Sequence, residues 1–223
     1  AGLLPAMRRG EDLHLDAPVS PRLLEGAAKV QEVFTTWDRT IHLDKLWCRR
    51  IEVTAPDTRP AAAEVGRGTA CFFTGGVDSF HTVIRNRHRL DALVFVHGFD
   101  VDLGDRRLRE IVSARLRSAA DELGLPLVEV EANLQEFGLA SGVSWGEYHG
   151  AALATVALLL SPRFERVLVP ATHTYGHLEG LGSHPLLDPL WSTEALEIVH
   201  DGADADRIQK LALAWSASMA WVC

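Results

Sequence analysis

Cys71-Phe72-Phe73-Thr74-Gly75-Gly76-Val77-Asp78-Ser79-Phe80 joins an apolar run to a hydroxyl residue, two glycines, a carboxylate and a second hydroxyl. A helical pattern begins directly after it. That order is a strand, a tight loop and a helix N-terminus. Adjacent glycines permit backbone geometry that a side chain blocks, so amide N–H groups turn toward an oxyanion. The helix start adds unpaired N–H groups and the positive end of its dipole. Thr74 and Ser79 supply further donors. The segment reads as a phosphate cradle; the plainer alternative is a Gly-Gly turn followed by an Asp/Ser helix cap.

Downstream of this loop, strands and helices alternate. The pattern predicts strands at Ala70–Phe73, Ala92–His97, Leu127–Val130, Arg166–Pro170 and Leu196–Val199. Helices are expected over Asp78–Arg87, Asp105–Leu123, Trp145–Leu160 and Asp206–Trp215, the last with Asp204 or Asp206 near its start. Repeated βα units imply a Rossmann-like α/β fold: a parallel five-stranded sheet with helices on both faces. Residues 67–223 would form this domain. Upstream, residues 1–66 read as a small α/β extension packed on it. Ser20-Pro21 is a cap followed by proline at the first helical position, and apolar residues at helical spacing run to Trp37. Leu46–Val53 is rich enough in β-branched and apolar residues to predict a strand, and Ala55–Gly68 a linker or long loop.

The cradle is of a particular kind. A Walker loop ends in Gly-Lys-Ser/Thr, and this one has no lysine. A dinucleotide fingerprint carries three glycines, and this one has an adjacent pair. Thr74-Gly75-Gly76-Val77-Asp78-Ser79 resembles the SGGxDS signature of the PP-loop ATP pyrophosphatases, with threonine for the usual serine. Relatives in that superfamily include asparagine synthetases, NAD synthetases, 7-cyano-7-deazaguanine synthases and tRNA-thiolating enzymes. The resemblance spans roughly residues 69 to 215, and only the first loop carries a specific motif. It implies the adenine nucleotide alpha hydrolase-like arrangement, with the first strand of the domain in the centre.

It also implies roles. Thr74, Gly75, Gly76, Val77, Asp78 and Ser79 would hold the β- and γ-phosphates of ATP, with Asp78 orienting the loop or helping to hold Mg²⁺. Ligands of open α/β sheets bind beyond the carboxyl ends of the strands. His97, Gly98 and Phe99 would then contact the adenine, with Asp100 or Asp102 toward the ribose and Asn133 past the third strand. Thr172 and His173 stand where relatives place a polar pair facing the α-phosphate. His149 lies at the start of a small-residue helix.

Gly182–Glu194 mixes leucines and a tryptophan with Ser183, His184, Asp188, Ser192, Thr193 and Glu194 between two prolines. It reads either as a substrate-recognition loop, with His184 as a catalytic candidate, or as an Ω-like loop whose leucines seal the domain. Scattered histidines there do not match a zinc spacing.

Composition narrows the partners. A formal charge of −8 offers no basic stripe for nucleic acid, and the arginines between 106 and 117 read as a solvated helix face. No apolar run approaches a membrane span; the longest is Ala151–Leu160. Three cysteines without a CxxC pair fit a reducing cytoplasm. Both ends read as cut, so a Cys-rich zinc tail beyond Cys223 and a homo-oligomer stay open.

The expected function is ATP-dependent adenylation. ATP would be cleaved to AMP and pyrophosphate, activating a small-molecule carboxylate or carbonyl oxygen for attack by ammonia or an amine. The alternatives are a sulfur-transferring PP-loop enzyme and a regulatory module that binds ATP or AMP without turnover. Lysine is scarce; Lys210 lies in the right domain, and either it or an arginine would stabilise charge, a choice the sequence leaves open.

Overall fold

The computed structural model describes residues 1–40, 47–62 and 68–220, with 215–220 as backbone only. Five parallel strands form the main sheet in the order β5-β4-β3-β6-β7. They are β3 (Gly68–Phe72), β4 (Ala92–His97), β5 (Leu127–Glu131), β6 (Phe164–Pro170) and β7 (Glu197–Asp201). Strand β3, which leads into the glycine loop, is central, and the order reverses beside it.

Alternation along the strands assigns their two faces. Ala70, Phe72, Val94 and Val96 face a core completed by Ala151, Ala152 and Val156 of α6 (Trp145–Leu159). Cys71, Phe73, Leu93 and Phe95 face the opposite core, with Val83 of α3 (Val77–Asn86) and Leu116, Ala120 and Leu123 of α4 (Arg106–Leu123). Helix α7 (Arg207–Ala220) packs on α3. With both faces covered, β4 is buried at every position and reads as a continuous apolar run up to His97.

The helix starts follow their caps. Asp105 accepts from the Leu108 amide at 2.9 Å. At α7, Asp206 and Gln209 each accept the other's backbone N–H at 2.8 Å, a reciprocal box that makes Asp206 the cap.

The described residues up to 62 contribute to the α6-side core. Leu3, Leu4 and Met7 of α1 (Leu3–Arg9), and Val30 and Phe34 of α2 (Pro21–Thr40), belong to it. Ser20 caps α2 through the Leu23 amide at 3.0 Å. The strand expected over Leu46–Val53 does not form. Leu46 lies outside the described residues, and pairing is confined to β2 (Val53–Thr54) against β1 (Leu13–His14). The cause lies on α2: the Asp38 carboxylate takes the Trp47 amide at 3.1 Å, and Gln31 Oε1 takes that of Ile51 at 2.8 Å. Amides that would feed a ladder are bonded to helix side chains. Of the expected linker, residues 63–67 lie outside the described residues.

The 182–194 segment divides between sealing and lining. Leu187 and Trp191 are buried in the core. Ser192 Oγ accepts from the Ile198 amide, and Thr193 Oγ1 from that of Leu196, both at 3.0 Å. Glu194 clamps the start of α2, its two oxygens accepting from the amides of Arg22 and Ala61 at 3.0 Å each. Desolvation would raise this carboxyl, but the amide bonds outweigh it and hold it at about 2. A depressed carboxyl contributes stability above its unfolded value and loses it as pH falls through the folded one. Urea unfolding of Glu194→Gln should therefore show a shallower loss of stability than the parent between pH 4.5 and 2. Identical slopes would refute the clamp.

No helix among the described residues is long and apolar enough to cross a membrane.

Candidate functional site

A cleft of about 240 Å³ opens at the carboxyl ends of β3, β4 and β6. Thr74, Asp78 and Ser79 form one side of it, and Phe99, Trp145 and His149 another. Phe99 and Trp145 meet edge to face with centroids 5.0 Å apart, which gives a fixed aromatic wall.

The glycine loop turns because Gly75 adopts φ +74°, a conformation costly for residues with a Cβ. Gly76 is the N-cap of α3 and provides no side-chain cap. The first bond of the helix runs from the Phe80 amide to the Gly76 carbonyl at 3.0 Å. The amides of Val77, Asp78 and Ser79 therefore have no acceptor among the described residues. Thr74, Gly75 and Gly76 are exposed, so these donors stand where an anion has access. Ser79 is buried, and its hydroxyl donates back to the Gly76 carbonyl at 2.9 Å. It shapes the turn.

Lys210 reaches this loop from α7. Its side chain is 1% exposed, and Nζ lies 2.9 Å from Asp78 Oδ1 while donating to the Ala171 carbonyl at 2.5 Å. One buried ammonium thus ties the loop after β3 to the segment after β6. Its charge sits beside the open amides and adds to the local positive potential. Burial, followed by the charges of Lys210 and Arg85, lowers the pKa of neighbouring His81.

With one oxygen on Lys210, Asp78 keeps Oδ2 for another partner. Magnesium at nucleotide sites takes one or two carboxylates, with waters and phosphate oxygens completing the shell. Asp78 and Asp100 are carboxylates on this cleft and fit that requirement. Among the described residues there is no cluster of three or more His, Cys, Asp or Glu side chains able to hold a metal by themselves.

The other candidates separate into three places. Phe99 and Thr172 line the cleft. His97 does not: the alternation that puts Leu93 and Phe95 on the α4 face puts His97 there too. Its Nε2 lies 2.8 Å from Glu129 Oε2 and 3.3 Å from Ser113 Oγ. Gly98 has φ +91°, and a Cβ there would stand 2.1 Å from the Ala132 carbonyl. Its glycine is required by the chain crossing after β5.

His173 and His184 lie in an adjoining cavity of about 70 Å³, which shares His149, Thr172 and Ser183 with the cleft. His184 is 5% exposed, accepts the Leu186 amide at Nδ1 at 3.0 Å, and packs edge-on to Trp37 at 4.9 Å. Desolvation, then the nearby His200, lower its pKa.

This cavity also holds what sequence reading missed. Asp188 Oδ2 accepts from Ser183 Oγ at 2.7 Å and lies 2.7 Å from Nδ1 of His200, the penultimate residue of β7. Asp188 was legible only as one polar residue of the loop. The position of His200 near a strand's carboxyl end was the signal that would have found it.

No protein-family model matches the chain, and no curated protein matches it.

Proposed function

We propose that the protein is an ATP-dependent adenylating enzyme of the PP-loop type, with the adenine nucleotide alpha hydrolase-like arrangement. One observation carries the reading: three free amides at the N-terminus of α3, behind a Gly-Gly turn at the end of the central strand, beside a buried lysine. That arrangement suits the β- and γ-phosphates, which leave together as pyrophosphate. Adenosine occupies the cleft against Phe99 and Trp145. An oxygen of the acceptor attacks the α-phosphorus near Thr172, pyrophosphate departs, and an adenylate is left for a nitrogen nucleophile. Catalysis rests on position and on charge stabilisation aimed at the departing phosphates. Magnesium, when bound through Asp78 and Asp100, supplies neutralisation of the triphosphate.

Sulfur transfer gains nothing from the described cysteines. Burial pushes the Cys71 thiol well above its ordinary value, and burial, then Asp38, push that of Cys48 to about 12. Neither is a ready thiolate.

Exchange of radiolabelled pyrophosphate into ATP, run with a panel of small carboxylic acids, tests the reading. One acid should support exchange and AMP release, and Asp78→Asn should lower both by at least about 100-fold. Circular dichroism checks that the variant is folded. ADP as the steady product, or unchanged activity in Asp78→Asn, refutes it.

A further inference from the structure

The cavity beside the cleft contains a second chemical device. Its wall includes His149, His173, His184, His200, Ser183 and Glu179. Behind it, the side chain of Asp188 is 2% exposed and receives two hydrogen bonds on one oxygen, from Ser183 and from Nδ1 of His200. An ionised carboxylate only accepts, so it holds the His200 proton on Nδ1 and leaves Nε2 as the acceptor. The His200 side chain is 6% exposed, and Nε2 has no hydrogen-bond partner among the described residues. A buried imidazole with one nitrogen fixed by a carboxylate and the other unpartnered at a void is arranged to take a proton.

Charge and size narrow what gives that proton. Among the described residues no lysine or arginine lines the cavity, whereas Glu179 is in its wall and Asp188 directly behind. The potential favours a cation over an anionic nucleophile. About 70 Å³ holds a few water-sized groups and no sugar or base. The shared walls His149, Thr172 and Ser183 connect it to the cleft.

We propose that this cavity receives ammonium or a small primary amine, and that His200 is the general base that deprotonates it, with Asp188 as a positioning residue. What the amine attacks rests on the adenylating reading above. The amine arrives protonated and gives one proton to His200 Nε2, which releases it to water. The neutral nitrogen attacks the acyl carbon of the adenylate. The C–N bond forms, the C–O bond to phosphate breaks, and its electron pair leaves with AMP. The surplus proton on nitrogen passes to the same Nε2.

Long-range proton–nitrogen correlation spectra of the intact protein, labelled on histidine nitrogen and free of ATP, test this. His200, assigned by loss of its signals in His200→Gln, should be the Nδ1–H tautomer. Methylammonium chloride should shift its Nε2 resonance saturably, and tetramethylammonium chloride, too bulky and without an N–H, should not. Asp188→Asn should erode the tautomer preference and weaken methylammonium by roughly tenfold. Ser183→Ala, which keeps the Asp188–His200 pair, should retain the tautomer and serves if Asp188→Asn does not fold. A proton resident on Nε2, or no saturable shift with methylammonium, overturns the proposal. Because no nucleotide is present, that failure leaves pyrophosphate exchange untouched. Loss of exchange would instead remove the adenylate and leave the amine site standing.

Discussion

Lys210→Met should lower the unfolding free energy by about 2–4 kcal/mol, the largest expected effect of any single side chain near the site. Removing one partner of a buried ion pair costs about 3–5 kcal/mol, because the other charge stays behind without compensation. Here that remaining charge is Asp78, whose side chain is 22% exposed and regains some water, so the cost falls at the lower end of that range or just below it. The Ala171 carbonyl also loses a charged donor, worth about 1.5–3 kcal/mol in general. Urea midpoints at constant slope give the number directly. A double-mutant cycle isolates the pair: Asp78→Asn and Lys210→Met together should cost less than the sum of the singles by about 1–3 kcal/mol. Additivity within a few tenths would mean that the pair does not couple, and the lysine would lose its place in the loop's electrostatics.

Gly150→Ala should cost about 3 kcal/mol through a different mechanism. A Cβ at Gly150 would stand 1.9 Å from the Gly182 carbonyl oxygen and 2.4 Å from its carbon. Both obstacles are backbone, so no side chain swings aside to admit the methyl. Overpacking of this kind typically costs about 1–3 kcal/mol, and a rigid contact lies at the top of that range. The same crossing is secured from the other direction, since the Gly182 amide donates to the Gly146 carbonyl at 2.8 Å. Displacing it moves Ser183 and, through it, Asp188. Thermal unfolding and protease sensitivity of the 182–194 segment both report the change. Gly176→Ala is the matched control: its Cβ would meet nothing nearer than Thr174 Oγ1 at 3.8 Å, and its stability should stay within about 0.5 kcal/mol of the parent. A Gly150→Ala protein as stable as that control would show that α6 and this loop do not interlock.

The parallel sheet was legible because βα periodicity is local. Five strands and the helices after them fall within a few residues of their expected places. The short helices α1 and α5 (Leu134–Ala140) were not anticipated, since seven residues provide too little periodicity. Leu46–Val53 misled because strand propensity is a statement about side chains, whereas the competing bonds come from Asp38 and Gln31 on a helix. At the site, the glycine turn and helix cap were readable for the same local reason. What was not readable depends on distant partners. Nothing around Lys210 announces that its ammonium lies under Asp78, 132 residues away. His97 and Gly98 occupy a strand end as expected, yet the first points to α4 and the second is required by its neighbour Ala132.

That separation along the chain sets an order of events at the ribosome. At about 5–20 residues per second, the 132 residues between Asp78 and Lys210 take roughly 7–26 s to synthesise. Throughout that interval the emerging glycine loop lacks its ammonium partner. The glycine loop is therefore among the earliest parts of the domain to be translated and among the last to mature.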